Sequence, residues 1–271
     1  MAVTFAVMRR LGSTLIELLV VVAIITLLLA ILFPSLRYSR EQARTVVCSS
    51  NVKQLTFGLA AYETENGTFP HALDETLLKP PPGGFPGNPM HDRVGWWWFN
   101  YTTAYSKRNS GKSSVILCPS RTIPDGTLRN DVLCGNYGVN RSVCKAASDR
   151  LDRSEFAGKP LAMADVSSPS ETLVIMDSGY SMISWWHVTD VPPVSLGATI
   201  EDTAYVPGLE MNKGKSLWPG QEWDAVNGRH PNKTVNVGFT DGHTHRANAE
   251  DLFVEKLTGG YRNVSPLWKR K

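Results

Sequence analysis

Leu11-Gly-Ser-Thr-Leu-Ile-Glu17 runs directly into Leu18-Leu-Val-Val-Val-Ala-Ile-Ile-Thr-Leu-Leu-Leu-Ala-Ile-Leu-Phe33 and then Pro34. Residues 14–33 make about 20 positions, enough at ~1.5 Å rise per residue to cross a ~30 Å hydrocarbon core. Glu17 is the one charge within them. A carboxylate placed in a membrane segment is costly, which makes it a functional candidate rather than filler. A secretory signal peptide would have a shorter apolar core followed by a small-x-small cleavage site, and no clean site of that kind precedes Pro34. A plain signal anchor fits the hydropathy equally well but gives no purpose to Gly12 or Glu17.

Helical patterning continues past the apolar span. Cys48, Val52, Leu55, Leu59 and Tyr62 recur at four- and three-residue steps, an apolar stripe on one helix face, while Arg40, Glu41, Arg44, Lys53 and Glu63 occupy other positions. Asn66-Gly67 provides a left-handed stop with Pro70 just beyond. A single helix from about Ser13 to Glu65 would be roughly 80 Å long, apolar all round in its first half and amphipathic in its second. Pro34 removes one rung of the hydrogen-bond ladder at the junction. It marks either a built-in kink or simply the end of a membrane helix.

Beyond the helix, Leu78–Met90 is a Pro/Gly-rich loop, and Gly95-Trp-Trp-Trp-Phe99 is dense in aromatics, with Trp185 and Trp186 further on. Ser114–Cys118, Thr172–Met176 and Thr234–Phe239 are short β-type runs bounded by turn residues. Asp241-Gly242 between two strand-like pieces predicts a hairpin whose two central residues both take positive φ. Asn248 is a candidate N-cap for a short helix over Ala249–Leu257 with Leu252, Phe253 and Leu257 turned inward. Long helix, loops and then antiparallel strands define an α+β chain.

The 271 residues accommodate one terminal anchor and one globular domain of about 200 residues, or two small ones. The formal charge is +3, falling to +1 without Met1–Gly12, which carry Arg9 and Arg10; neither value, nor any basic stripe, points to nucleic acid. Arg9 and Arg10 before the span are balanced by Arg37, Arg40 and Arg44 after it, so basic residues alone do not orient it. Cys48, Cys118, Cys134 and Cys144 all follow the span, as suits an oxidising compartment. Of their three possible pairings, Cys48–Cys118 would tie the helix to the sheet and Cys134–Cys144 would close a short loop.

Gly12, the small hydroxyl residue Ser13, and Glu17 five positions beyond the glycine resemble the prepilin cleavage and methylation signature of type IV pilins and type II secretion pseudopilins. A second signature, His230-Pro-Asn-Lys-Thr-Val-Asn-Val-Gly-Phe-Thr-Asp241-Gly242, resembles the C-terminal module of large prepilin-like proteins, a histidine, nine residues and then Asp-Gly. Here ten residues intervene, so a bulge or longer turn must absorb one. Cys48-Ser-Ser-Asn-Val-Lys-Gln-Leu55, Tyr62, Phe69-Pro70, Cys118-Pro119 and Asn136-Tyr-Gly-Val-Asn140 also resemble that group.

The resemblance implies a pilin-like fold, a long N-terminal helix packed on an antiparallel sheet head. Residues 1–12 would be a cytoplasmic leader, 13–33 the transmembrane half of the helix, 34–66 its amphipathic half, and 67–271 an exported head anchored in the inner membrane by a single pass. It further implies cleavage between Gly12 and Ser13 by a prepilin peptidase and N-methylation at Ser13, where the family usually has phenylalanine. Glu17 would meet the freed amine of a neighbouring subunit, and Pro34 would loosen the helix during assembly on an inner-membrane platform with other pilin-like subunits.

Catalytic patterns are missing: there is no nucleophile elbow, no Gly-rich phosphate loop and no His-Glu-x-x-His, so no enzyme activity, cofactor or metal is expected. His230 and Asp241 can approach across a hairpin, with His243 and His245 on one strand face, but their spacing matches no standard zinc site. The expectation is that Asp241-Gly242 is a turn and that His230 bonds nearby backbone. The tryptophans are read as core rather than as a sugar-stacking platform. The function that follows is a structural subunit of a pseudopilus or pilus, with a membrane-anchored surface or carbohydrate-binding protein as the alternative.

Overall fold

The computed structural model describes residues 15–77, 95–102, 115–121, 133–148, 154–189, 204–215, 217 and 220–268. It divides into two units between Glu41 and Gln42. Helix α1 spans Leu15–Asn66, 52 residues, with Pro34 inside it and no interruption of the helix there. From Leu15 to Phe33 its side chains are exposed, and the span is long and apolar enough to cross a membrane. In the second unit the helix is one-sided: Thr45, Cys48, Val52, Leu55, Thr56 and Leu59 are buried, while Arg44 and Lys53 are exposed. Tyr62 is only half-buried, its ring edge-on to Tyr101 at 5.6 Å. The helix ends as its sequence predicts, with Gly67 at φ +74° donating its N–H to Glu63 O at 2.7 Å.

After α1, strands β1 (Leu73–Asp74) and β2 (Trp96–Trp97) pair antiparallel, and β2 runs into the short helix α2 (Trp98–Thr102). The main sheet contains β3 (Tyr137–Asn140), β4 (Leu173–Asp177), β5 (Met182–Ile183), β6 (Thr234–Phe239) and β7 (Thr244–Asn248), in the order β5-β3-β4-β6-β7. Helix α3 (Glu222–Asn227) precedes β6. The α+β architecture expected from sequence is present, but the sheet is mixed rather than antiparallel. Strands β3 and β5 run parallel, while the other pairs are antiparallel. Strand β5 is only two residues long and follows β4 across a short connection, so its direction was not legible from composition.

The sheet is covered on both faces. On β6, Val235, Val237 and Phe239 face a core with Leu173, Met176, Val206, Leu252 and Trp268. The alternate positions Asn236 and Gly238 face α1. A Cβ on Gly238 would stand 1.9 Å from Thr56 Oγ1, so the missing side chain is what lets helix and sheet approach. The register of β4 against β6 shifts between Leu173 and Ile175. This bulge at Val174 lets Ile175, and two residues on Asp177, look toward α1.

Three local expectations change. Val115–Cys118, the described part of a β-type run, is a turn. Its backbone is satisfied by side chains instead of a neighbouring strand, with Asn51 Nδ2 donating to Leu117 O at 3.2 Å and Cys118 N donating to Asn136 Oδ1 at 3.0 Å. The helix expected over Ala249–Leu257 is one 3-10 turn, Ala249–Leu252, because Val254 is drawn away by a hydrogen bond to Val188 O at 2.9 Å. Strands β8 (Glu255–Leu257) and β9 (Gly260–Arg262) then form a hairpin, leaving Leu257 exposed. Finally, the β6–β7 turn has Gly242 at φ +94° but not Asp241. Gly242 N donates to Phe239 O and Phe239 N donates to His243 O, each at 3.0 Å. This is a three-residue loop closed by a left-handed glycine, longer than the two-residue turn.

Candidate functional site

Four chemistry-bearing side chains from distant parts of the chain meet beneath α1. The apolar stripe of α1 presents Cys48. Turn 115–121 presents Cys118, the far end of β4 presents Asp177, and the segment joining α3 to β6 presents His230. Their ligand atoms all lie within 4.8 Å of one another and all four residues are buried. Sγ of Cys48 is 3.2 Å from Sγ of Cys118, and the Cys48 thiol donates to Asp177 Oδ1 at 3.2 Å. His230 Nε2 stands 3.2 Å from Asp177 Oδ2. That approach is close enough for charges to interact, but the ring is not angled for a hydrogen bond, and Nε2 has no hydrogen-bond partner among the described residues.

An outer layer of polar groups holds His230, Asp177 and Cys48. Nδ1 of His230 is 3.1 Å from Thr45 Oγ1, one turn before Cys48 on α1. Asp177 Oδ2 accepts from Asn236 N at 2.7 Å and from Asn236 Nδ2 at 3.0 Å. The Tyr137 hydroxyl, 3.1 Å from Cys48 Sγ, itself accepts from Asn51 Nδ2 at 3.2 Å. Next to His230, Arg229 is paired with Asp224 at 2.8 Å, both side chains buried, and donates to Asn136 O at 2.7 Å and Ser178 O at 3.1 Å. Tyr205 donates its hydroxyl to Asp224 Oδ2 at 2.9 Å.

The cluster is strongly polarised. Burial and the hydrogen bond to Cys118 push the Cys48 thiol up. Burial acts the same way on Cys118, but the adjoining Cys48 thiol, the His230 ring and the Arg229 charge outweigh it and bring the thiol down to about 6. Burial disfavours charge on His230, yet the Asp177 carboxylate raises its ring to about 9. Burial would raise Asp177, but the His230 and Arg229 charges hold it below its ordinary value. Two cysteines, a histidine and an aspartate, each pulled from its ordinary titration range by burial and by the others, therefore share one enclosed space.

Several residues singled out in the sequence fall elsewhere. Gly12 and Ser13, with residues 1–11, lie outside the described residues, as do Ser114, Leu78–Met90 and Lys269–Lys271. Glu17 is exposed in the first turn of α1. The four cysteines are free thiols; Cys48 and Cys118 are adjacent, but their 3.2 Å separation exceeds the ~2.05 Å of a disulfide. Cys134 and Cys144 are buried thiols, that of Cys144 pushed up by burial. His230 and Asp241 do not meet. His230 bonds a helix side chain rather than local backbone. Asp241 sits at the exposed hairpin turn, where Oδ1 accepts from His243 N at 3.1 Å and lies 2.6 Å from His243 Nδ1. Trp97, Trp98 and Trp185 are buried in the core, as expected, with Trp98 Nε1 donating to Ser181 O at 2.9 Å, while Trp96 and Trp186 are half-buried.

Asp177 was not foreseen. Its signal was an acid closing the apolar run Leu173-Val-Ile-Met-Asp177, a position that reads as a strand end until the bulge assigns its face.

No protein-family model matches the chain, and no solved structure matches it. Among curated proteins it is similar to the type II secretion system core protein G of Pseudomonas aeruginosa, 34% identical over 74 residues. The match covers 27% of this chain and 52% of that protein, so the chain spans about half the length of the curated relative it matches.

Proposed function

We propose that this protein is a pseudopilin-like structural subunit, trimmed between Gly12 and Ser13 by a prepilin peptidase and assembled with other pilin-like subunits on an inner-membrane platform. One observation carries the proposal: α1 is a single helix whose first half exposes apolar side chains all round and whose second half is built into the head. An aqueous compartment does not tolerate Leu15–Phe33 in that state, whereas a bilayer or a filament core does. The similarity to a type II secretion system core protein supports the same reading.

Glu17 lies four residues after Ser13. Buried among apolar helices, its carboxylate is costly unless paired, and the amine freed at Ser13 of a neighbouring subunit is the partner that would set register. Methylation of that amine would keep its charge. The helix would hold the subunit in the inner membrane with the head exported. Burial of Trp97, Trp98 and Trp185 argues against a sugar-stacking platform, and among the described residues the thiol–imidazole–carboxylate group is buried.

Intact-mass analysis of the protein from its native host tests the processing step. The expected mass lacks Met1–Gly12, and Gly12→Ala blocks the loss. Mature protein that retains Arg9 and Arg10, or cleavage unaffected by Gly12→Ala, refutes the assignment.

A further inference from the structure

We infer that Cys48, Cys118, Asp177 and His230 bind a single structural zinc ion that fastens α1 to the head. This reverses the metal-free expectation drawn from sequence and is independent of the filament reading. A carboxylate and an imidazole are expensive to bury, and here both meet two buried thiols at one enclosed point. A tetrahedral zinc with ligands at about 2.0–2.3 Å separates its donor atoms by about 3.3–3.8 Å. Cys48 Sγ stands 3.2 Å from both Cys118 Sγ and Asp177 Oδ1, and the four donors lie within 4.8 Å of one another, distances that bracket that range.

The outer layer is arranged as metal ligands require. The Nδ1 atom of His230 faces Thr45 Oγ1, to which it can donate. That tautomer leaves the lone pair on Nε2, the atom without a hydrogen-bond partner among the described residues, within 4.8 Å of the other three donors. Asn236 occupies Asp177 Oδ2 with two donors and leaves Oδ1 toward the sulfurs. Tyr137 is placed to donate to the Cys48 sulfur as a thiolate.

A Cys48–Cys118 disulfide satisfies the site less well. It would remove the Cys48 S–H, which is the donor to Asp177 Oδ1 among the described residues, and leave that oxygen buried without one. Binding zinc instead displaces whatever protons the two thiols and the ring nitrogen carry and gives each of the four donors a partner. Two thiolates and a carboxylate around Zn²⁺ leave one net negative charge. Thiolate donors disfavour calcium and magnesium, and four protein ligands with no open position describe a structural rather than a catalytic site. The ion would join positions 48, 118, 177 and 230, closing loops across most of the head.

The test uses the full chain, purified in detergent without chelators. Elemental analysis is expected to find about one zinc per chain, lost in Cys118→Ser and His230→Ala and retained in Cys134→Ser. Because a ligand variant can unfold, the wild-type chain is also stripped and reloaded with Co²⁺. The intense visible bands of tetrahedral cobalt with sulfur-to-metal charge transfer support the site. Metal-free protein with Cys48 and Cys118 recovered as a disulfide overturns the inference. So does a weak six-coordinate cobalt spectrum, stoichiometric iron or copper in place of zinc, or zinc that persists in His230→Ala.

Discussion

Replacing Gly238 with alanine tests the contact that seats α1 on the sheet. The new Cβ would fall 1.9 Å from Thr56 Oγ1, 2.9 Å from Ile175 Cγ2 and 3.1 Å from Thr56 Cβ. Thr56 is buried and its Oγ1 donates to Val52 O at 2.8 Å, so rotation costs that bond and still leaves a short Cβ–Cβ contact. The alternative is to lift the helix by about an ångström or more along a packed interface. Overpacking of this kind costs ~1–3 kcal/mol, partly offset by the ~0.5 kcal/mol gained when a strand glycine becomes alanine. The expected net loss is ~2 kcal/mol, which lowers Tm by roughly 4–8 °C for a unit of this size. The assay is urea unfolding of the full chain in detergent, followed by the fluorescence of the buried tryptophans. Thr56→Ala alone is expected to cost about 1 kcal/mol or less, because its hydroxyl only supplements a helix hydrogen bond. In the double variant the effects are not additive, with about 1 kcal/mol recovered. A Gly238→Ala protein within ~0.5 kcal/mol of wild type, or strictly additive effects, would refute the close approach.

Glu17→Val is expected to insert in the membrane and fold its head normally but to be depleted from cross-linked filaments; incorporation equal to wild type removes the inter-subunit pairing from the proposed function. Gly242→Val is expected to cost about 1–2 kcal/mol from the φ of +94° alone, since nothing lies within 4 Å of the new Cβ. An unchanged urea midpoint would show that the turn can re-form without a left-handed residue. Asp224→Ala leaves Arg229 buried without its carboxylate and Tyr205 without its acceptor, and about 3–5 kcal/mol of stability should go with it. Asp224→Asn, which keeps one acceptor, is expected to lose less, and equal losses in the two variants would sink the ion-pair explanation.

Local periodicity was enough to place α1, its apolar first half, its buried stripe and its stop at Gly67, because each depends on residues within one or two turns. The β6–β7 hairpin was legible for the same reason. The parallel pairing of β5 with β3 was not, because strand direction depends on where the chain returns rather than on which residues it contains. Val115–Cys118 had strand composition but became a turn once Asn51 and Asn136, both distant in sequence, satisfied its backbone. The Ala249–Leu257 helix stopped after one turn because Val188 offered Val254 a better-placed carbonyl.

The candidate site shows the same division. Cys48, Cys118 and His230 stood out in the sequence, the two cysteines as a pair and His230 as a residue bonding nearby backbone, but nothing in it brought the three together. Asp241 follows His230 after ten residues in a recognisable spacing, whereas Asp177 is distant and appears in no local pattern. By itself the sequence determined a long two-part helix followed by an α+β head, because hydrophobic period and end signals are short-range. Which four side chains share one buried point was decided by the tertiary structure. The bulge at Val174 sets the face of Asp177, and the bare backbone at Gly238 lets α1 come close enough to bring Cys48 to it.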